Sequence, residues 1–430
     1  MKKIILCLAM LFITSTVAYT KTLTINLSSP TGSQTLSVVI ASPAGNVSES
    51  LQKSLVQAFE RDLQYIPFMK ILRQYKVSYT PGSRPNFVSL SQSNINLLIT
   101  TSWSSSGSEY LIDVQIFDIL SRTSVVSRKF KIANERGIQG VADASMSALL
   151  EHLIGDGSLF STRIFFAMKE GPIKQTLWSI LPNGTGLKKE TDILGLAISP
   201  SVSSDGRYIT FTHIDRRRHT LALFDRKTKQ VRRVVYPQGA SVISPTFMPS
   251  GDIAVSLSFK GRGNPSIYRV SGGRLSREEK LMGDGTINVS PSFSPAVPNI
   301  MVYTSSKFGN PQIFMKNLTT GVITRISKDG RYNTDPVLSP DGRYIAYVSM
   351  LKEGRRIFVY DIETKKNKQV TFGPRDDDTP EFAPDSYFIA FISTRSGKAQ
   401  LYLTTREGTG AVLIPARGNN LSDPTWGLAN

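Results

Sequence analysis

One short pattern recurs six times between Pro200 and Pro424, and it constrains the fold more than any other feature of the chain. The clearest copy reads Asp335-Pro336-Val337-Leu338-Ser339-Pro340-Asp341-Gly342-Arg343-Tyr344-Ile345-Ala346-Tyr347: an anchor proline, a short apolar run, an Asp-Gly turn and an alternating strand. The anchor prolines are Pro200, Pro245, Pro291, Pro336, Pro380 and Pro424, so successive spacings are 45, 46, 45, 44 and 44 residues. A repeat of that length is one four-stranded blade of a β-propeller. Asp205-Gly206 and Asp341-Gly342, with Ser250-Gly251 as a variant, supply the positive φ that a tight hairpin needs between alternating apolar runs. A second β-rich run follows each of the first five copies, as at Leu221 to Asp225 and Leu401 to Thr404, then a polar turn and a short last strand.

The ends of the repeat array predict how the ring closes. Arg163 to Met168 and Leu177 to Leu181 read as the second and third strands of a blade with no first strand ahead of it, and Asp423-Pro424-Thr425-Trp426-Gly427 reads as a first strand with nothing after it. Together they complete one blade, which removes the exposed edges an open ring would carry. The predicted fold is a small N-terminal α/β domain followed by an all-β six-bladed β-propeller over residues 161–430, its ring closed by the C-terminal strand joining the first blade.

The 430 residues exceed what one compact core needs. Residues 1–18 have the parts of a secretory signal: Lys2-Lys3, the apolar run Ile4 to Ile13, and small residues from Thr14 to Ala18. Cleavage after Ala18 removes Cys7, the single cysteine, so the exported chain is expected to lack thiols and disulfides. No later apolar run reaches the ~18 residues of a membrane span. Residues 35–156 are predicted to form the α/β domain. Its parts are a strand at Leu36 to Ala41, a helix at Ser48 to Tyr65 with Leu51, Leu55, Phe59 and Leu63 on one face, strands at Ile95 to Trp103, Tyr110 to Ile119 and Ser124 to Ile132, and a closing helix at Gly137 to Ile154. In residues 19–34, Leu23, Ile25 and Leu27 alternate with polar residues, a pattern suited to docking as an added strand.

Catalytic chemistry is sparse. The chain has no Gly-x-Ser-x-Gly elbow, phosphate-binding Gly-rich loop, His-Glu-x-x-His helix or cysteine cluster. His213 and His219 flank Arg216-Arg217-Arg218 in what reads as a solvated loop, and no metal or cofactor is expected. The net charge of +18 favours acidic partners or anionic polymers. Nucleic acid is not expected as a partner, because aromatic residues are only sparsely interleaved with the basic stripe of Arg216 to Arg218 and Arg226 to Arg233. The acidic run Asp376-Asp377-Asp378 lies just ahead of a blade's first strand, at the rim of the channel. Three adjacent carboxylates repel one another unless a cation, an arginine or solvent compensates. The other channel-rim segments are polar too: 284–288, 331–335, 238–241 and 417–420. A ring of short polar loops around a concave mouth suits a protein or peptide ligand.

An exported chain with a small α/β domain, a short linker at Gly155-Asp156-Gly157-Ser158, a strand beginning Thr162-Arg163-Ile164 and repeats of the Ser-Pro-Asp-Gly-Arg-Tyr-Ile-Ala type resembles the TolB family, periplasmic propellers of the Tol-Pal cell-envelope system. The resemblance covers both domains and implies a non-enzymatic, monomeric protein. It implies that the mouth binds the lipoprotein Pal, with Thr286, Asn288, Tyr332, Asn333, Asp335, Asp376, Asp377, Asp378, Asn419 and Asn420 as candidate contacts. It also implies that the mature N-terminal segment binds TolA, here through Thr22, Leu23, Ile25 and Leu27, and that other outer-membrane lipoproteins can be partners. The implied role is support of outer-membrane integrity and envelope constriction in division, with protein import through the same system. A secreted propeller enzyme or a binding module acting on an envelope glycan is the alternative.

Overall fold

The computed structural model describes residues 35–216, 218–234, 240–259, 263–271, 278–328, 330–418 and 420–429. The expected signal and the segment 19–34 lie outside them, as does Asn419.

The N-terminal unit is one mixed sheet backed by helices. Its strands are β1 (Leu36–Ile40), β2 (Ala44–Gly45), β3 (Met69–Ile71), β4 (Leu97–Ser106), β5 (Glu109–Asp118) and β6 (Thr123–Ile132), in the order β3-β1-β4-β5-β6 with β2 also on β4. β1 is parallel to β3 and β4, and the β4-β5-β6 meander is antiparallel. Helix α1 (Glu49–Leu63) starts where the Ser48 hydroxyl accepts from the Leu51 amide and Glu49 sits in the first turn, both favourable at the positive end of the helix dipole. It buries Leu55, Phe59 and Leu63 of the stripe expected from the sequence, with Leu51 partly buried, and Ala58 as well. A short α2 (Phe87–Gln92) follows, and α3 (Ile138–Ile154) packs on α1 and ends at Gly155, whose φ of 83° makes the left-handed cap that glycine adopts without strain.

The rest of the described chain is a β-propeller. Four four-stranded antiparallel sheets run in sequence order: β14 to β17 (Ser241–Phe247, Ile253–Ser258, Ser266–Val270, Glu278–Met282), β18 to β21 (Asn288–Phe293, Ile300–Ser305, Gln312–Asn317, Ile323–Arg325), β22 to β25 (Asn333–Leu338, Tyr344–Leu351, Gly354–Asp361, Lys366–Gln369) and β26 to β29 (Asp377–Phe382, Phe388–Ser393, Gln400–Thr405, Val412–Leu413). An eight-stranded sheet holds β7 to β9 (Thr162–Gly171, Lys174–Ile180, Lys188–Lys189), β10 to β13 (Gly195–Val202, Tyr208–Asp215, Arg218–Asp225, Gln230–Val234) and β30 (Leu421–Leu428). A two-residue parallel match, Gly195 with Lys174 and Leu196 with Gln175, is the link between β10 and β8. The last strand, β30, pairs antiparallel with β7. The first strands β10, β14, β18, β22, β26 and β30 touch one another in cyclic order.

All six anchor prolines fall inside these first strands, a position where a missing N–H ordinarily breaks the ladder. A bulge resolves the conflict. The residue ahead of each proline, Ser199, Ser244, Ser290, Asp335, Thr379 or Asp423, has φ between 44° and 52°, and the register slips at that point in every copy. Two residues then oppose one, and the proline owes the neighbouring strand no hydrogen bond. The Asp-Gly turns behave as their chemistry dictates. Asp341 accepts from the Arg343 amide and the Ser339 hydroxyl, and Gly342 has φ 75° with Val297 so close that a Cβ would come within 2.7 Å of it.

The segment around His213 and His219, expected as a solvated loop, is instead the β11–β12 hairpin. Its residues alternate with strand period, and His213 is buried, with its Nε2 2.7 Å from the Leu194 carbonyl oxygen. Part of the basic stripe is structural as well: Arg226 lies over the Phe165 ring and donates to the Gly206 carbonyl at 2.6 Å.

One apolar cluster runs from the N-terminal unit into the propeller. Phe59, Leu63 and Phe68 pack with Phe388 and Ile414, and Phe68 stacks on Phe388 and meets Tyr387 edge-on. Each such buried aromatic is worth about 1.5–3 kcal/mol. Within this contact the fully buried Asp62 of α1 accepts from Asn183 of the propeller at 3.1 Å and from Gln139 of α3 at 3.0 Å, with Asp143 beside it. Burial, then the Asp143 charge, pushes the Asp62 carboxyl up to about 8. The folded state therefore holds a proton that the unfolded chain releases near pH 4, so this group's contribution to stability is greatest below pH 4 and declines until about pH 8. Asp62→Asn keeps the acceptor and is expected to raise stability at pH 7 by ~2 kcal/mol or more, at 1.36 kcal/mol per pKa unit. Urea midpoints at pH 5, 7 and 9 should show the gap over the parent widening with pH, and a pH-independent gap contradicts the assignment.

Candidate functional site

The loops that lead into the first strands, together with those joining second and third strands, form one end of the propeller channel. The acidic run sits there on β26 and is compensated across strands by Arg355 and Arg395, not by its neighbour Arg375. Asp376 accepts the Arg355 amide at 2.9 Å and its guanidinium at 3.1 Å, Asp378 meets the same guanidinium at 2.9 Å, and Asp377 is buried against Arg395 at 2.8 Å. The Arg355 amide and then its guanidinium hold Asp376 below the usual carboxylate range. Burial pushes Asp378 up to about 6, with Asp335, Asp376 and Asp377 adding to the rise and Arg355 opposing it.

Asp335 and Asp423 occupy bulge positions on other sheets; the Asp335 charge acts on Asp378, and the Asp423 charge on Asp335. Burial raises both, and Asp423 adds to the rise of Asp335. Carboxyls from three sheets that influence one another share the channel interior. The channel below the mouth is thus acidic, in a chain whose net charge is +18.

Other predicted residues build the rim instead of facing outward. Asn288 is fully buried and donates to Asp284 at 2.9 Å and to the Thr286 carbonyl at 3.0 Å, while Thr286 donates to the same Asp284 through its amide and hydroxyl. Asn333, also fully buried, donates to Gln312 at 3.0 Å. Loop sequences have no period to say which side chains turn inward, so these asparagines and Asp377 read as contact residues when their geometry makes them struts. Asn420, at φ 58°, and Tyr332 are exposed at the rim.

Two features at this end escape a reading of the loops as polar. Large apolar side chains stand out from them: Ile173, Leu194, Ile287, Phe308, Met350 and Phe372 beside Tyr332, with Ile173 and Leu194 about 80% exposed. The Met350 amide donates to the Tyr332 carbonyl, and the Ser306 amide to the Ile287 carbonyl, which ties Ile287 to the segment that leads to Phe308. The second feature is Arg356. It is 3% exposed, and its guanidinium donates to the carbonyls of Glu353, Arg355, Gly373 and Arg375, clamping the loop that carries Phe372 to the loop that carries Arg355. A repeat-by-repeat comparison of the sequence would have found neither, because the loops differ from blade to blade.

Among the described residues no group of His, Cys, Asp and Glu has metal-site geometry, and no helix is long and apolar enough to cross a membrane.

Comparison with known proteins gives the fold its family. The Tol-Pal system protein TolB of Nitratidesulfovibrio vulgaris is 36% identical over 291 residues, which span 65% of this chain and 64% of that protein. A TolB homologue of Chlorobium luteolum is 28% identical over 237 residues, 55% of this chain and 52% of that one, so the match covers less than two thirds of either relative's length. The crystal structure of TolB from Acinetobacter baumannii shares the fold with a TM-score of 0.76 at 18% identity, over 92% of this chain and 97% of that one. The family described as the TolB beta propeller domain matches residues 150–430. The chain therefore belongs to the TolB β-propeller family.

Proposed function

We propose that the chain is a non-enzymatic periplasmic component of the Tol-Pal system whose propeller docks a protein partner at the mouth described above. The observation that carries this reading is the set of exposed apolar side chains on rim loops tied down by buried polar contacts. A patch of that kind, bordered by polar groups, is what protein partners cover, and its aromatic members supply most of the binding energy. Fixed loops also lose little entropy on docking. Family resemblance names the partner as the soluble domain of Pal, with other outer-membrane lipoproteins competing for the same face.

In the same reading residues 161–430 are a ring of six blades: β7 to β9 with β30, β10 to β13, and the four separate sheets. The cyclic contacts of the six first strands and the pairing of β30 with β7 support it. Residues 1–18 are the export signal, residues 19–34 engage TolA through Thr22, Leu23, Ile25 and Leu27, residues 35–156 form the α/β domain, and the protein works as a monomer.

The test is calorimetric titration of residues 19–430 with the soluble domain of Pal from the same organism. The doubly substituted Tyr332→Ser, Phe372→Ser protein is expected to bind at least about tenfold more weakly, the loss of one or two hot-spot side chains, with its urea midpoint unchanged. Equal affinity of the two proteins sinks the mouth as the docking face. Failure of the parent to bind Pal at all sinks the partner assignment and favours an envelope glycan.

A further inference from the structure

The opposite end of the channel holds a second cavity, of about 350 Å³, that the docking face does not use. All six first strands line it, through Ser201, Thr246, Ser292, Val337, Glu381 and Thr425, each the residue after an anchor proline. Below that ring the wall is apolar and aromatic, with Phe247, Phe293, Phe382 and Trp426 among its members.

Glu381 is the only ionisable side chain among the described residues that line the cavity. Two of the hydroxyls around it are held by the backbone, Ser201 accepting from the Phe247 amide at 3.1 Å and Ser292 from the Leu338 amide at 3.1 Å, and the Thr246 hydroxyl lies 3.4 Å from that of Ser201. Trp426 donates its Nε1–H to the Glu381 carbonyl, not to the carboxyl. No described group of the protein bonds or pairs with that carboxyl. It keeps part of its surface open to the cavity, yet protein surrounds it closely enough that burial alone pushes it up to about 8. No neighbouring charge offsets or adds to that effect.

We propose that this cavity is a binding site for an organic cation, an ammonium carried on a short apolar body, with Glu381 as its counter-ion and the aromatic wall holding the body. A lone carboxyl in an apolar wall is the complement of such a cation, and aromatic faces add cation–π attraction for the charged end. A hydrated inorganic ion would meet one carboxylate and a few neutral hydroxyls, well short of the several carboxylate and carbonyl oxygens that replace its waters in a dedicated site. The cation arrives either as a free amine or as a lysine side chain of an extended peptide threaded into the channel. Binding forms the Glu381 carboxylate and releases its proton, since the empty site holds the neutral acid at pH 7.

The experiment uses residues 19–430 and four probes: phenethylammonium, its neutral counterpart phenethyl alcohol, an acetylated and amidated Phe-Lys-Phe peptide, and the same peptide with norleucine for lysine. Titration calorimetry at pH 7 in two buffers of different ionisation enthalpy is expected to show binding of a cationic probe with release of about one proton, and Glu381→Gln to weaken that binding about tenfold and abolish the proton release. Binding of phenethylammonium alone identifies a free amine as the source, and binding of the lysine peptide alone a threaded side chain. Equal binding of charged and neutral probes, binding that survives unchanged in Glu381→Gln, or no binding of either cation at 10 mM, roughly the weakest affinity worth calling a site, overturns the proposal. Glu381→Gln removes only a buried acid, and an unaltered melting profile shows that the comparison is between folded proteins.

Discussion

Arg356→Met is expected to destabilise the protein by about 2 kcal/mol and to weaken docking at the mouth by at least about tenfold, because four carbonyls on two facing segments lose a buried, shared donor at once. Methionine keeps much of the arginine stem's volume, so packing alone does not account for the loss. Swapping a buried charge for an apolar side chain is neutral only when its partners are replaced too. Here the partners are backbone carbonyls of Glu353, Arg355, Gly373 and Arg375, which stay. The two loops they belong to should part, and Phe372 should lose its fixed position. Urea unfolding and titration with Pal measure the two effects separately. Arg355→Met is the contrast: its side chain is 40% exposed and its ion pairs with Asp376 and Asp378 are part-screened, so stability should change by no more than ~1 kcal/mol. If Arg356→Met matched Arg355→Met in stability, the clamp would not be what holds the loops.

Deleting residues 421–430 is expected to have the largest effect of any change considered. The deletion strips β7 of one of its two partners, leaving β8, takes the buried Leu421 and Trp426 out of the shared core and removes one of the six first strands that contact one another. β7, then paired only with β8, presents a free edge to other chains. The truncated protein should appear in the insoluble fraction or as large oligomers by size-exclusion chromatography. A circular permutant that places residues 421–430 directly ahead of Ser161 should fold, since β30 and β7 then form an ordinary antiparallel hairpin. A soluble, cooperatively unfolding truncation would contradict the six-bladed ring closed by this strand.

What the sequence made legible was whatever repeats or carries a period. The proline spacing gave the propeller, Ser48 and Gly155 marked helix ends, and the stripe of Leu55, Phe59 and Leu63 faced the core as expected. Elements too short to show a period, β2, β3 and α2, were not read. The candidate site was half visible for a related reason. Asp376 and Asp378 stand out as a charge run, but their cation, Arg355, lies about 20 residues upstream on a different strand, where only the fold brings it near. Asn288, Asn333 and Asp377 looked like surface polar residues because a strut and a contact have the same composition. Phe308 and Phe372 looked like loop residues of no consequence because exposure is not written in a non-repeating stretch.

The left-handed residue ahead of each anchor proline has one further consequence. Each such bend costs of order 1 kcal/mol outside glycine, and all six first strands carry it just ahead of the anchor proline. Blade duplication copies the bend, while packing around it is supplied by the strands behind, so the side chain there is free to diverge. Serine, threonine and aspartate now share the six places, two of them aspartate. The potential along the axis is thus adjustable one residue at a time, by an evolutionary route that leaves every blade core untouched.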